Sequence, residues 1–158
     1  MLIYWIFFST FAVSSLFNVN LNTRTKLIIL SFVNLTLIVF IGLRNRVGGD
    51  WFTYFNDFNK LYLENSGNQI RDFGYEYLSR TSEFLNLGIF GVNFFAAVVF
   101  IYAIYNFGKR ENNIALIYLI SFPYFITVLA MGYTRQSTAL AFALLSLFSI
   151  VDNQILKF

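Results

Sequence analysis

Arginine and aspartate are unfavourable next to lipid, so their clustering at the edge of an apolar run calls for a local reason. The run Leu27 to Leu43 is followed directly by Arg44-Asn45-Arg46-Val47-Gly48-Gly49-Asp50-Trp51-Phe52-Thr53-Tyr54. An arginine costs ~3 kcal/mol near a bilayer centre and much less at its rim. The planar donor forks of Arg44 and Arg46 fit a phosphate or diphosphate; snorkelling from a helix end is the plainer explanation. Gly48 and Gly49 let backbone amides approach an anion, or simply make a turn. Asp50 can act as general base toward a hydroxyl, orient one of the arginines, or cap a helix that starts at Trp51. Tyr54, one turn on, shares a face with Asp50 and can support it or, like Trp51, anchor at the interface, touching lipid or sugar.

A second candidate cluster lies far along the chain. Arg135-Gln136 opens an apolar segment after Gly132-Tyr133-Thr134. A cation at a helix start opposes the macrodipole, which favours anions there. An anionic ligand would account for Arg135, and so would Asp50 or Asp72 as an internal partner. Asp72, Tyr75 and Glu76 lie on a short predicted helix between the two clusters, where Glu76 and Arg80 stand at i,i+4. The chain has no cysteine and no histidine. Disulfides, thiolate chemistry and the usual zinc sites are thereby excluded, and no metal or cofactor is expected. No Walker A, GxSxG, HExxH or DxD pattern is present, so gripping a sugar nucleotide through a metal is not expected.

The elements that must position these residues follow from an unusual composition. Of 158 residues 58% are hydrophobic and 12% charged, against nearer half and a quarter in soluble domains, so the excess apolar surface needs lipid. The formal charge of +3 is scattered and forms no nucleic-acid face. Five apolar segments, about 2–17, 27–43, 88–107, 114–131 and 136–151, approach the length of a membrane span. The fold class expected is all-α: one integral membrane domain over 1–158, a polytopic bundle of about five transmembrane helices with an outer loop carrying amphipathic interfacial helices. The amino-terminal segment lacks a positive leader and reads as a retained helix. Arg24, Lys26, Lys109, Arg110 and Lys157 fall in alternate short loops, which the positive-inside rule makes cytoplasmic. The amino terminus and the long loop 44–87 are then extracytoplasmic.

Within that loop Trp51, Phe55, Phe58 and Tyr62 recur at helical spacing among polar residues, which predicts an amphipathic helix over 51–63 lying in the membrane interface. Ser66-Gly67-Asn68 ends it, a second short helix is expected over about 75–85, and Leu87-Gly88-Ile89-Phe90-Gly91 turns the chain back into the membrane. Pro123 should kink the fourth segment and free a carbonyl near Leu119. Ala139, Ala141 and Ala143 offer small residues for close helix approach. Asn93, Asn113 and Ser137 are candidate helix starts, or else bond across to neighbouring helices.

Three blocks, Gly42-Leu43-Arg44-x-x-Val47-Gly48-x-Asp50-x-x-x-Tyr54, then Asp72-x-Gly74-Tyr75-x-x-Leu78, then Arg135-Gln136 before an alanine-rich helix, resemble the EpsG family. These are Wzy-like membrane proteins of bacterial exopolysaccharide and capsule assembly. The resemblance covers nearly the whole chain and implies a polymerase in the bacterial inner membrane, joining oligosaccharide repeat units carried on polyprenyl diphosphate. It implies a diphosphate held by Arg44, Arg46 and Arg135, with Asp50 as base or orienting group. Gly48, Gly49, Trp51, Tyr54, Asp72, Tyr75 and Gln136 would meet substrate or lipid. Membrane lipid and other polysaccharide assembly proteins are the partners it suggests. Family members usually continue through further membrane helices, so the chain reads as the amino-terminal part of such a protein. A flippase or transporter for an anionic lipid-linked sugar, or a non-catalytic membrane subunit, would use the same arginines.

Overall fold

The computed structural model describes residues 2–16, 22–63, 73–111 and 113–151. The described residues are helical without strands: α1 (Leu2–Leu16), α2 (Thr23–Gly42), α3 (Trp51–Leu63), α4 (Phe73–Phe84), α5 (Gly88–Gly108), α6 (Ile114–Ser121), a π-helix (Phe122–Ala130) and α7 (Thr134–Val151). Stretches Arg24–Gly42, Gly88–Gly108 and Thr134–Val151 are long and apolar enough to cross a membrane; Leu2–Leu16 and Ile114–Ala130 are shorter apolar helices. The chain is an all-α membrane helix bundle. Large side chains left bare on α2, such as Ile28, Phe32 and Leu35, need a lipid environment.

The bundle is built around α5, which packs against α2, α4, α6 and α7. Its apolar residues fall on nearly every side, and Val92, Ala96, Ala97, Phe100, Ile101 and Ala103 are all buried. A helix apolar all round belongs in the middle. Leu37 and Ile41 of α2, Phe11 of α1, Tyr118 of α6, Phe122 and Ile126 of the π-helix and Ala141 of α7 close around it. The end of α2 touches α5 closely: a Cβ on Gly42 would stand 2.7 Å from Phe94 Cδ2. On α7 the small residues facing inward are Ser137 and Ala141, one turn apart, whereas Ala139 and Ala143 are exposed. Of the three alanines expected at a close approach, Ala141 is the buried one.

The helices run alternately. Gly42 beside Phe94, and Thr134 bonded to Asn93, put the end of α2 and the starts of α5 and α7 at one end. Asn113 Nδ2 donates to Ser15 O at 2.9 Å and Phe107 lies 5.9 Å from Phe148, which collects the other ends together. Of the short-loop cations, Arg24, Lys26, Lys109 and Arg110 belong to this second end; Lys157 lies outside the described residues.

Three local expectations change shape in the structure. Asn113 is the N-cap of α6 and accepts from Leu116 N, but Asn93 and Ser137 lie inside α5 and α7 and bond laterally or to the backbone. The kink at Pro123 is a nine-residue π-helix with proline in its first turn, where the missing N–H breaks no bond of the new ladder. The aromatic stripe of α3 is only partly covered by protein: Trp51 and Phe58 are buried, Phe58 against Tyr75 of α4 and Ile89 and Val92 of α5, while Phe55 is exposed. Tyr54, outside the stripe, is buried beside Phe58 in the same cluster. Ser66-Gly67-Asn68 and the Tyr62 side chain lie outside the described residues.

Candidate functional site

The segment after α2 is pinned by one buried arginine. Arg44 is 4% exposed. Its Nη1 donates to Ala130 O at 2.6 Å, and its Nη2 donates to Asn93 Oδ1 at 3.1 Å and to Thr134 Oγ1. These acceptors belong to the last residue of the π-helix, to α5 and to the first residue of α7. The Thr134 hydroxyl donates in turn to Asn93 Oδ1 at 3.3 Å. A guanidinium can satisfy several acceptors in one plane, which lysine cannot. Among the described residues no carboxylate pairs with Arg44. Burial accordingly pulls its pKa from 12.5 down to about 10, with the neighbouring Tyr54 and Tyr75 opposing that fall.

The loop from Asn45 to Asp50 is folded onto the same junction. Gly48 has φ +101°, and a Cβ there would stand 2.5 Å from Gly132 Cα and 2.5 Å from Met131 O. Glycine is required both for the backbone angle and for the approach. A Cβ on Gly49 would meet the Tyr133 hydroxyl at 3.4 Å. Close packing explains Gly48, whereas Gly49 has room for a side chain. Arg46 has φ 54° and an exposed side chain. Asp50 is half-buried, its carbonyl accepting from Tyr54 N as α3 begins.

Arg135 sits one residue beyond the Arg44 acceptor Thr134, so two guanidiniums from distant parts of the chain converge at the start of α7. Arg135 Nη2 donates to Asp57 Oδ2 at 2.9 Å. Its guanidinium carbon lies 4.4 Å from the Tyr75 ring centroid and 5.2 Å from that of Tyr54. Two aromatic faces and a carboxylate fix the plane of this cation. The Tyr75 hydroxyl donates to Tyr54 O at 3.2 Å, which ties α4 to α3. Burial raises the Tyr75 pKa, and Arg135 opposes the rise. Burial also raises that of Tyr54, opposed chiefly by the Arg135 backbone amide. Both phenols are therefore neutral donors at physiological pH.

Beside Arg135 a cavity of about 660 Å³ runs between α4, α5 and α7. Leu78, Phe95, Ala96, Val99, Ala139 and Phe142 make its walls apolar, and Tyr75, Thr134, Arg135 and Gln136 provide a polar end. Gln136 is exposed at that end. Such a shape suits an amphiphile with a negatively charged head. Of the residues expected at the site, Arg44, Arg135, Tyr54 and Tyr75 come together, with Gln136 beside them. Arg46 stays at the surface, Trp51 is buried and stacked on Phe55 at 5.1 Å, and Asp72 lies outside the described residues. Among the described residues no acidic cluster capable of holding a metal is present.

Asp57, Asn93 and Thr134 are site residues that sequence reasoning misses. Asn93 carries a signal, as an amide in a membrane-length helix needs an internal partner. Asp57 carries none, since a carboxylate on the polar edge of α3 looks like any solvated one.

Residues 27–158 match the model of the EpsG family. The chain belongs to the EpsG family. The match takes in most of α2 and everything from Arg44 to α7, so Arg44, Tyr75 and Arg135 of this EpsG-family chain all lie inside it. No curated protein and no solved structure matches the chain.

Proposed function

We propose that this EpsG-family chain carries the lipid-diphosphate site of a membrane polymerase that extends an exopolysaccharide or capsular glycan. The observation that supports it is the apolar groove ending at Arg135. A polyprenyl chain would occupy the groove, with its diphosphate at the guanidinium and its sugar toward the loop. In the reaction an acceptor hydroxyl attacks the anomeric carbon of the lipid-linked glycan. The bond from that carbon to the diphosphate oxygen breaks, and polyprenyl diphosphate leaves with the electron pair. Arg135 stabilises the charge developing on that oxygen, while the Tyr75 ring holds its guanidinium and the Tyr75 hydroxyl stays bonded to Tyr54 O. Asp50, at the start of α3, takes the hydroxyl proton or orients the acceptor. Arg44 keeps the start of α7 in place, and Arg46 is left at the rim for a phosphate or sugar.

The test is replacement of Arg135 by Lys and by Ala in the protein as expressed by its host, reading polymer length and membrane content of the protein. Short or absent polymer at normal protein level supports the clamp. Normal polymer from both variants would overturn it. Accumulation of unpolymerised lipid-linked repeat units on the cytoplasmic face would instead favour translocation. A fall in the amounts of partner assembly proteins would favour a subunit role.

A further inference from the structure

Helix α4 is built inside out. The face it turns to the bundle carries Tyr75, Ser79 and Ser82, all buried, with the Ser82 hydroxyl donating to Gly88 O. The face it turns away carries Phe73, Tyr77 and Phe84, which are 88%, 72% and 85% exposed. With Arg80 these fall at i, i+4, i+7 and i+11, a single stripe along the whole helix. A helix beside water would present the serines outward and the phenylalanines inward. Past the helix Leu85, Leu87 and Phe90 of α5 are exposed as well. From α4 to the membrane-length α5 the chain needs only Leu85, Asn86 and Leu87, with Asn86 and Gly88 in the left-handed region making the bend.

We infer that α4 lies in the membrane interface, its Phe73–Tyr77–Phe84 edge seated between lipid headgroups and acyl chains. The occupant is lipid because the exposed apolar edge stands three residues before a membrane-length helix whose first turn exposes Phe90. The chemistry agrees: aromatic rings prefer the headgroup level, and the lone cation on the stripe, Arg80, is bonded to Glu76 at 2.7 Å, so it reaches the interface with its charge compensated. Tyr77 and Leu78 also line the apolar groove that ends at Arg135. With α4 at this depth, the groove opens sideways at the level where lipid headgroups meet their chains. The inference does not depend on which reaction the groove serves.

The absence of cysteine makes the test clean. Phe73→Cys, Tyr77→Cys and Phe84→Cys are each spin-labelled in the full chain, reconstituted in bilayer nanodiscs and probed by power saturation with oxygen and with a water-soluble nickel chelate. Phe32→Cys on α2 provides the lipid standard and Asn56→Cys, exposed on α3, the aqueous one. The expected oxygen-to-nickel collision ratio at all three α4 sites is several-fold above that at Asn56 and approaches that at Phe32. A ratio equal to that at Asn56 would place α4 in water. Low collision rates with both reagents would show that protein covers the stripe. Either result overturns the inference, and since the three side chains are exposed their replacement leaves the bundle intact, which melting in detergent checks.

Discussion

Replacing Arg44 by methionine removes the charge and all three donor contacts while keeping much of the side-chain volume. Hydrogen bonds from a charged donor contribute roughly 1.5–3 kcal/mol each, so three amount to roughly 5–9 kcal/mol. Against this stands the cost of burying the cation. A fall in pKa from 12.5 to about 10 corresponds to about 3 kcal/mol at ~1.4 kcal/mol per pH unit, and methionine relieves it. The contacts win, and Arg44→Met is expected to destabilise by about 3 kcal/mol. By the scaling seen in soluble domains of this size that lowers the melting temperature by roughly 6–12 °C. Tryptophan fluorescence during heating in nanodiscs reads the change, since Trp51 is buried close to the affected loop. Arg44→Lys should fall between wild type and Arg44→Met, because an ammonium cannot span acceptors on three elements. Equal or higher stability for Arg44→Met would refute the reasoning. It would mean that desolvation outweighs bonding here, as it does for some buried ion pairs replaced by apolar groups.

The same geometry fixes three further outcomes. Gly48→Ala should destabilise by about 2–4 kcal/mol, from a positive φ and a Cβ only 2.5 Å from Gly132 Cα; Gly49→Ala, whose nearest contact would be 3.4 Å, should change the same melt by less than about 1 kcal/mol. Asp57→Asn should leave Arg135 between its two rings but weaken one charge-assisted bond, raising affinity for a polyprenyl diphosphate about 2–10-fold in a binding titration by removing a competing carboxylate. Burial holds Tyr75 protonated in the fold above the pH at which it ionises when unfolded, so the stability it provides is present below pH ~10 and is lost as pH rises beyond that. The stability difference between wild type and Tyr75→Phe should therefore be flat from pH 7 to about 9.5 and shrink above it in alkaline melts.

Apolar runs make the helices legible in the sequence, because lipid imposes length and leaves few alternatives to a helix. Proximity is legible only in part. Arg44 and Arg135 can be paired through the alternation of the helices across the bundle, yet nothing in the spacing shows that both ends of the Arg44 fork are taken by Ala130, Asn93 and Thr134. Helical periodicity marks an apolar face without naming its cover. That is why the whole stripe of α3 reads as lipid-facing while its Trp51 and Phe58 are buried in the bundle and its Phe55 is not. On α4 the same periodicity sets Tyr75 and Leu78 apart from Phe73 and Tyr77, and only the fold shows the larger aromatic face outermost. Asp57 is invisible in the sequence because its partner is 78 residues away.

A ladder of i→i+5 bonds stores roughly one residue more per turn than an α ladder. Over Phe122–Ala130 the fourth apolar segment thus contains slack that its neighbours lack. Rewinding that segment to α geometry would lengthen it and twist the adjoining turn, the one that presents Arg135. The Arg44 bond to Ala130 sits at the lower stop of this spring. Shortening or extending the segment by one residue would therefore be felt as a rotation of a cation at the groove mouth, together with a shift of Phe122 and Ile126 against α5.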